Sequence, residues 1–185
     1  MGEQHKKHSR REHLNDFHLN VAGEYVYDGA LYACQNDDAK QRRSKRAVWG
    51  MAAILTVAVA AGGCIPAPGM QNCFYVLLPY LGEFLGAASV IWALAKLGTD
   101  WSTVREYNYK KSVAVLPVRT AVTAVFSLLG IVCELIFFFA NDHAGQTFFA
   151  LLYVLLKLIA LLSVLVLRAE IMQAEWDKLP KKNNF

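Results

Sequence analysis

Four long apolar stretches leave this chain few ways to fold. They run from about residue 47 to 64, from 74 to 97, from 118 to 140 and from 147 to 167. A run of about 18 or more mostly apolar residues is the diagnostic of a membrane span. At about 1.5 Å rise per residue, each run covers a hydrocarbon core of roughly 30 Å, the first with least to spare. Lipid offers an unpaired backbone N–H or C=O no partner, so each span has to be helical. The sequence therefore reads as an all-α integral membrane protein with four transmembrane helices. Composition agrees: 55% of the 185 residues are hydrophobic and 18% charged, and the hydrophobic ones gather in blocks.

Basic residues set the expected orientation. Lys40, Arg42, Arg43, Lys45 and Arg46 precede the first span; Lys96, Arg105, Lys110, Lys111 and Arg119 surround the link between the second and third. Arg168, Lys178, Lys181 and Lys182 follow the fourth, whereas the two opposite loops, 65–72 and 141–146, contain no Lys or Arg. The positive-inside rule then places both termini in the cytoplasm, with the plasma membrane as the expected location. The net charge of +4 becomes a matter of topology and of attraction to anionic lipid, and gives no indication of nucleic acid. The polar start "MGEQHKKHSRREHLNDFH" has no apolar core close behind it, so a cleavable signal peptide is not expected. The same gap argues against reading "SRREHL" as a twin-arginine signal, and "MGEQHK" lacks the Ser or Thr of a myristoylation site.

Residues 1–20, charged and histidine-rich without periodicity, are expected to be a disordered arm. His5, His8, His13 and His18 lack metal-site spacing, and the interleaved basic residues would repel a cation, so no metal or other cofactor is expected. Residues 21–46 hold "GEYVYDGALYAC" and the basic segment before the first span. Two short alternating runs flanking Asp28-Gly29 predict a small cytoplasmic β-hairpin with a type I′ turn. That register pairs Tyr25 with Tyr32 and puts Tyr25, Tyr27 and Tyr32 on one face. A lone hairpin is marginal in water. Its aromatic face is expected to rest on the loop "STVREYNYKK", where Tyr107 and Tyr109 also alternate. Residues 47–168 form the bundle, and residues 169–185 a cytoplasmic C-terminal helix and tail. That helix is expected to run on until Pro180, with Trp176 near the lipid headgroups.

Small residues form two seams suited to close helix packing: Ala53, Thr56, Ala60 and Gly63 in the first span, and Gly82, Gly86, Ser89 and Ala93 in the second. Pro79 is expected to bend the second span. The outer loop "CIPAPGMQNC" puts Cys64 and Cys73 at the mouths of spans one and two, a candidate disulfide.

Three charges inside the spans are the candidate functional site. Lys157 lies roughly 15 Å from either end of its span, too deep for its side chain to reach the interface unaided. Glu83 lies roughly 13 Å and Glu134 roughly 9 Å below the same outer surface. In the third span, Thr120, Thr123, Ser127, Gly130 and Glu134 follow steps of three and four and so share one helix face. Gln146, Ala150, Tyr153, Lys157 and Ala160 form a similar stripe in the fourth. Glu83, Glu134 and Lys157 are therefore expected to cluster. Such a trio either specifies how helices assemble, alone or with a partner protein, or binds a proton, ion or polar solute. No phosphate-binding loop, zinc-protease helix, nucleophile elbow or kinase signature is present, and no enzymatic activity is expected. The expected partners are the lipid bilayer and either another membrane protein or further copies of the chain. The first functional expectation is a non-enzymatic accessory or scaffold subunit of a membrane complex. The second is a small homo-oligomeric transporter or channel using the three charges.

Overall fold

A computed structural model describes residues 17–19, 23, 25–27, 29–141 and 146–179. It is 75% helical, and four of its helices are long and apolar enough to cross a membrane. These are α1 (Asp38–Cys64), α3 (Phe74–Leu97), α5 (Leu116–Ala140) and α6 (Thr147–Met172). Two short helices are also found among the described residues, α2 (Pro68–Asn72) and α4 (Glu106–Lys111). The basic segment expected before the first span is itself helical, so α1 extends over 27 residues, about 40 Å. Pro117 opens α5, where a missing N–H has no intrahelical partner to lose. Gly98 closes α3 with φ +68 and its N–H on the Leu94 carbonyl, a conformation that an L side chain rarely adopts.

The four long helices form a ring. α1 packs along α6, α6 along α5 and α5 along α3, while α1 and α3 meet through a thinner contact. Leu55, Ala58, Val59, Ala87, Ala160 and Val164 fill its middle. Large apolar side chains such as Val57, Leu85, Leu128 and Leu162 face outward, as expected of a bundle solvated by lipid. The two small-residue seams have different fates. On α3, Gly82 and Gly86 lie under Phe126 and Thr123 of α5, and Ala93 is fully buried. On α1, Ala53, Thr56 and Ala60 are exposed on the outer face of the ring, whereas Gly63 faces Tyr80 of α3, into whose hydroxyl a Cβ would run.

Among the described residues there are five short strands: β1 (Phe17–Leu19), β2 (Tyr25–Tyr27), β3 (Leu31–Cys34), β4 (Val104–Arg105) and β5 (Trp176–Lys178). The expected Asp28-Gly29 hairpin does not form. β2 pairs with β1, and β3 becomes the central strand of a sheet ordered β4-β3-β5. A type I′ turn needs positive φ at both central residues, and Gly29 lacks it. β3 has better partners, because antiparallel neighbours on both sides satisfy both of its edges. The consequence for the tyrosines is that Tyr32 is separated from the face of β2 to which Tyr25 and Tyr27 belong. Tyr25 is 75% exposed, Tyr27 caps the Ala30 carbonyl, and Tyr32 stacks on Tyr109 with ring centroids 4.2 Å apart. Tyr109 is thus a seat for one of the three, from a helix rather than an alternating strand. Of the arm expected to be disordered, Phe17–Leu19 is a strand, and residues 1–16 and 20 lie outside the described residues, as do His5, His8 and His13.

The C-terminal expectation is also corrected. The last helix stops at Met172, and Trp176 sits in β5 against Trp101 and Tyr109. Trp101 is 1% exposed, with Lys45 over its ring and its carbonyl accepting from the Cys34 N–H. This aromatic block ties the N-terminal strands, the α3–α5 link and the C-terminus to one end of the bundle, the sheet end. The opposite end is closed by α2, which packs on α3, α5 and α6. Ala67, Pro68 and Gly69 of that turn are buried.

Candidate functional site: a buried ion pair beside an unpaired carboxyl

The polar stripe predicted on α5 faces the interior. Thr120, Thr123, Ser127 and Glu134 are all fully buried, as are Glu83 on α3 and, to within 2%, Lys157 on α6. The two threonines are satisfied locally: Thr120 donates to the Leu116 carbonyl at 2.8 Å and Thr123 to the Arg119 carbonyl at 2.8 Å. Neither reaches a charge. Ser127 does, donating to Glu83 Oε1 at 2.6 Å. Glu83 Oε2 forms the ion pair with Lys157 Nζ. The pair therefore binds α3 to α6 directly, and Ser127 brings in α5.

Two aromatic rings complete the ammonium's surroundings. Lys157 Nζ lies 4.6 Å from the Tyr80 ring centroid and 5.1 Å from that of Tyr153. A desolvated cation over a ring gains about 2 kcal/mol. Each buried ion loses several kcal/mol of hydration, which a good mutual geometry together with such added contacts offsets. Gly130 of α5 faces the lysine stem; its Cβ position would lie in ordinary contact with Lys157 Cε, 3.6 Å away.

Glu134 does not join the pair. Its Oε1 accepts one long hydrogen bond, 3.5 Å from the Gly69 N–H of α2. Its Oε2 has no hydrogen-bond partner among the described residues, and neither has the hydroxyl of fully buried Tyr153. The expected three-member cluster is thus a pair plus a separate carboxyl. The reason lies in helix pitch. Gly130 is the α5 residue facing Lys157, and Glu134 stands one turn further, about 5–6 Å along the axis. Tyr153 stands one turn from Lys157 in the same direction, so Glu134 and Tyr153 occupy the next level toward α2.

Sequence reasoning missed Gly69, Tyr80 and the inward fold of α2. The signal for α2 was available in "IPAPG", where Ile65, Ala67 and Pro68 are too apolar for a solvated turn. It also missed two ties near the sheet end, Ser44 to Glu170 at 2.6 Å and Arg119 to the Ser89 carbonyl at 2.7 Å. The candidate disulfide is not formed, since Cys64 and Cys73 are free thiols, the first exposed and the second half-buried. Among the described residues, no group of three or more His, Cys, Asp or Glu is placed to hold a metal ion. No family model matches the chain, and neither a curated protein nor a solved structure matches it.

Proposed function

We propose that this chain is a membrane-embedded, non-enzymatic scaffold or accessory subunit. Its four long helices span the bilayer with both termini in the cytoplasm, in the plasma membrane. The observation that carries this reading is the outward-facing seam of α1. Ala53, Thr56 and Ala60, with Gly50 one turn before Ala53, present small side chains on the exposed face, while Gly63 at the end of the seam is turned toward Tyr80 of α3. In lipid, helices associate by close van der Waals approach, which small residues allow. The equivalent seam on α3 is already covered by α5, so α1 is the helix left for a partner. The occupant we assign to it is a transmembrane helix of another protein. Arg42, Arg43 and Arg46 are exposed at the sheet end and Trp49 is 36% exposed one turn on. That arrangement suits an interfacial level with anionic headgroups nearby.

Cross-linking from within the seam tests this. A photoreactive benzoylphenylalanine at Val57, which is 68% exposed, is expected to give one discrete adduct in native membrane. The double variant Ala53→Leu/Ala60→Leu should abolish it while changing folding stability by no more than about 0.5 kcal/mol, as befits exposed sites. An adduct of twice the chain's 20.6 kDa would identify a second copy as the occupant. Labelling of lipid alone would overturn the scaffold reading.

A second reading, a small oligomeric carrier or channel for a proton, ion or polar solute, draws on Glu134 and its unpartnered oxygen. Under it, Glu134→Gln folds normally but loses flux in proteoliposomes.

A further inference from the structure

The three ionisable groups inside the bundle do not balance. Lys157 is engaged by Glu83, one charge against one. Glu134 is left facing an interior in which its single donor among the described residues is the Gly69 N–H at 3.5 Å. The phenols interacting electrostatically with it are Tyr75 at the start of α3 and Tyr153 on α6, with the thiols of Cys73 and Cys133 beside Tyr75; the ammonium of Lys157, 5.1 Å from the Tyr153 ring, is already held by Glu83. A phenol or thiol is never cationic, so none of them supplies a counter-charge. An ionised carboxylate buried without one is costly, at least about 2.5–3.5 kcal/mol in a membrane interior.

The geometry provides a place for the missing charge. Glu134 Oε2 and the Tyr153 hydroxyl are both fully buried and both unpartnered among the described residues. They stand on facing helices, each one turn from the contact between Gly130 and Lys157. Gly62 on α1 adds no side chain there, and a Cβ on it would meet nothing nearer than Tyr153 Cε2 at 4.0 Å. Above them lies α2. A Cβ on Gly69 would collide with the Glu134 carboxyl, so the backbone of α2 rests directly on that group. We propose that Glu134 and Tyr153, roofed by Gly69, form a binding site for a single monovalent cation, either a proton or an alkali ion. One positive charge brings the charges within the spans to zero, whereas a divalent ion would leave an excess of one.

Dicyclohexylcarbodiimide tests this on the full-length protein, because it reacts with a protonated carboxyl in apolar surroundings and spares an ionised, paired one. In choline buffer at acid pH, mass spectrometry should find Glu134 labelled, Glu83 unlabelled, and no label in Glu134→Gln. If the occupant is a proton, labelling falls about tenfold per pH unit above its midpoint and ignores Na⁺ and K⁺. If it is an alkali ion, adding that ion suppresses labelling at constant pH. Thermal unfolding of the unlabelled protein provides the second measurement. The wild-type melting temperature should vary with pH or with alkali concentration, and that variation should vanish in Glu134→Gln. Labelling of Glu83 in preference to Glu134 would overturn the assignment, as would identical melting responses of wild type and Glu134→Gln. None of these outcomes bears on whether α1 carries a partner helix.

Discussion

Lys157→Met is expected to lower folding stability by about 3–5 kcal/mol, the usual loss when one member of a buried pair is removed. Methionine fills much of the same space, so the loss is electrostatic rather than a cavity effect. It leaves Glu83 fully buried with Ser127 as its remaining partner at 2.6 Å, and it removes the cation from the Tyr80 and Tyr153 rings. Because the pair joins α3 to α6, separation of those helices should accompany the loss. Thr56→Ala is the matched control: the hydroxyl bonds its own helix at the Ala52 carbonyl, 2.7 Å away, on an exposed face. Its effect should stay within about 0.5 kcal/mol. Reversible unfolding in mixed micelles measures both, and equal effects from the two substitutions would show that the pair contributes nothing special.

Trp101→Ala should be comparably damaging, about 3–5 kcal/mol, for a different reason. The indole is 1% exposed and is among the largest fully buried side chains. It packs on Trp176 with centroids 5.8 Å apart and lies under Lys45. Its removal opens a cavity between the bundle and the sheet. β5 depends on that contact, and β3 depends on β5 for one of its two edges. Limited proteolysis should therefore cut the variant within residues 29–37 and 173–179 at sites protected in the wild type. An unchanged digestion pattern would mean that the sheet holds without the indole.

What the sequence made legible follows the strength of each physical signal. The four long helices were legible because a span needs an uninterrupted apolar run, and their predicted bounds differ from those observed mainly where α1 and α6 extend past the apolar part. The inward stripe on α5 was legible from its spacing, since Thr120, Thr123, Ser127 and Glu134 are all buried. The strand pairing was not. Local turn chemistry at Asp28-Gly29 pointed to a hairpin, but β3 finds its partners 72 or more residues away, at Val104 and Trp176. No local pattern encodes such a pairing. The partner of Lys157 was only half legible. Depth along the helices placed Glu83 and Glu134 both within range, and the choice between them turns on which residue of α5 faces the lysine. Gly130 does, and a glycine makes no side-chain bond, so Glu83 from α3 is the partner.

Double-mutant cycles test that choice most directly, using Lys157→Met with Glu83→Gln and, separately, with Glu134→Gln. The predicted coupling between Lys157 and Glu83 is about 2 kcal/mol or more, within the range for contacting buried groups, and that between Lys157 and Glu134 is below about 0.5 kcal/mol. A coupling to Glu134 as large as that to Glu83, or none to either, would contradict a bundle pinned at its centre by this ion pair.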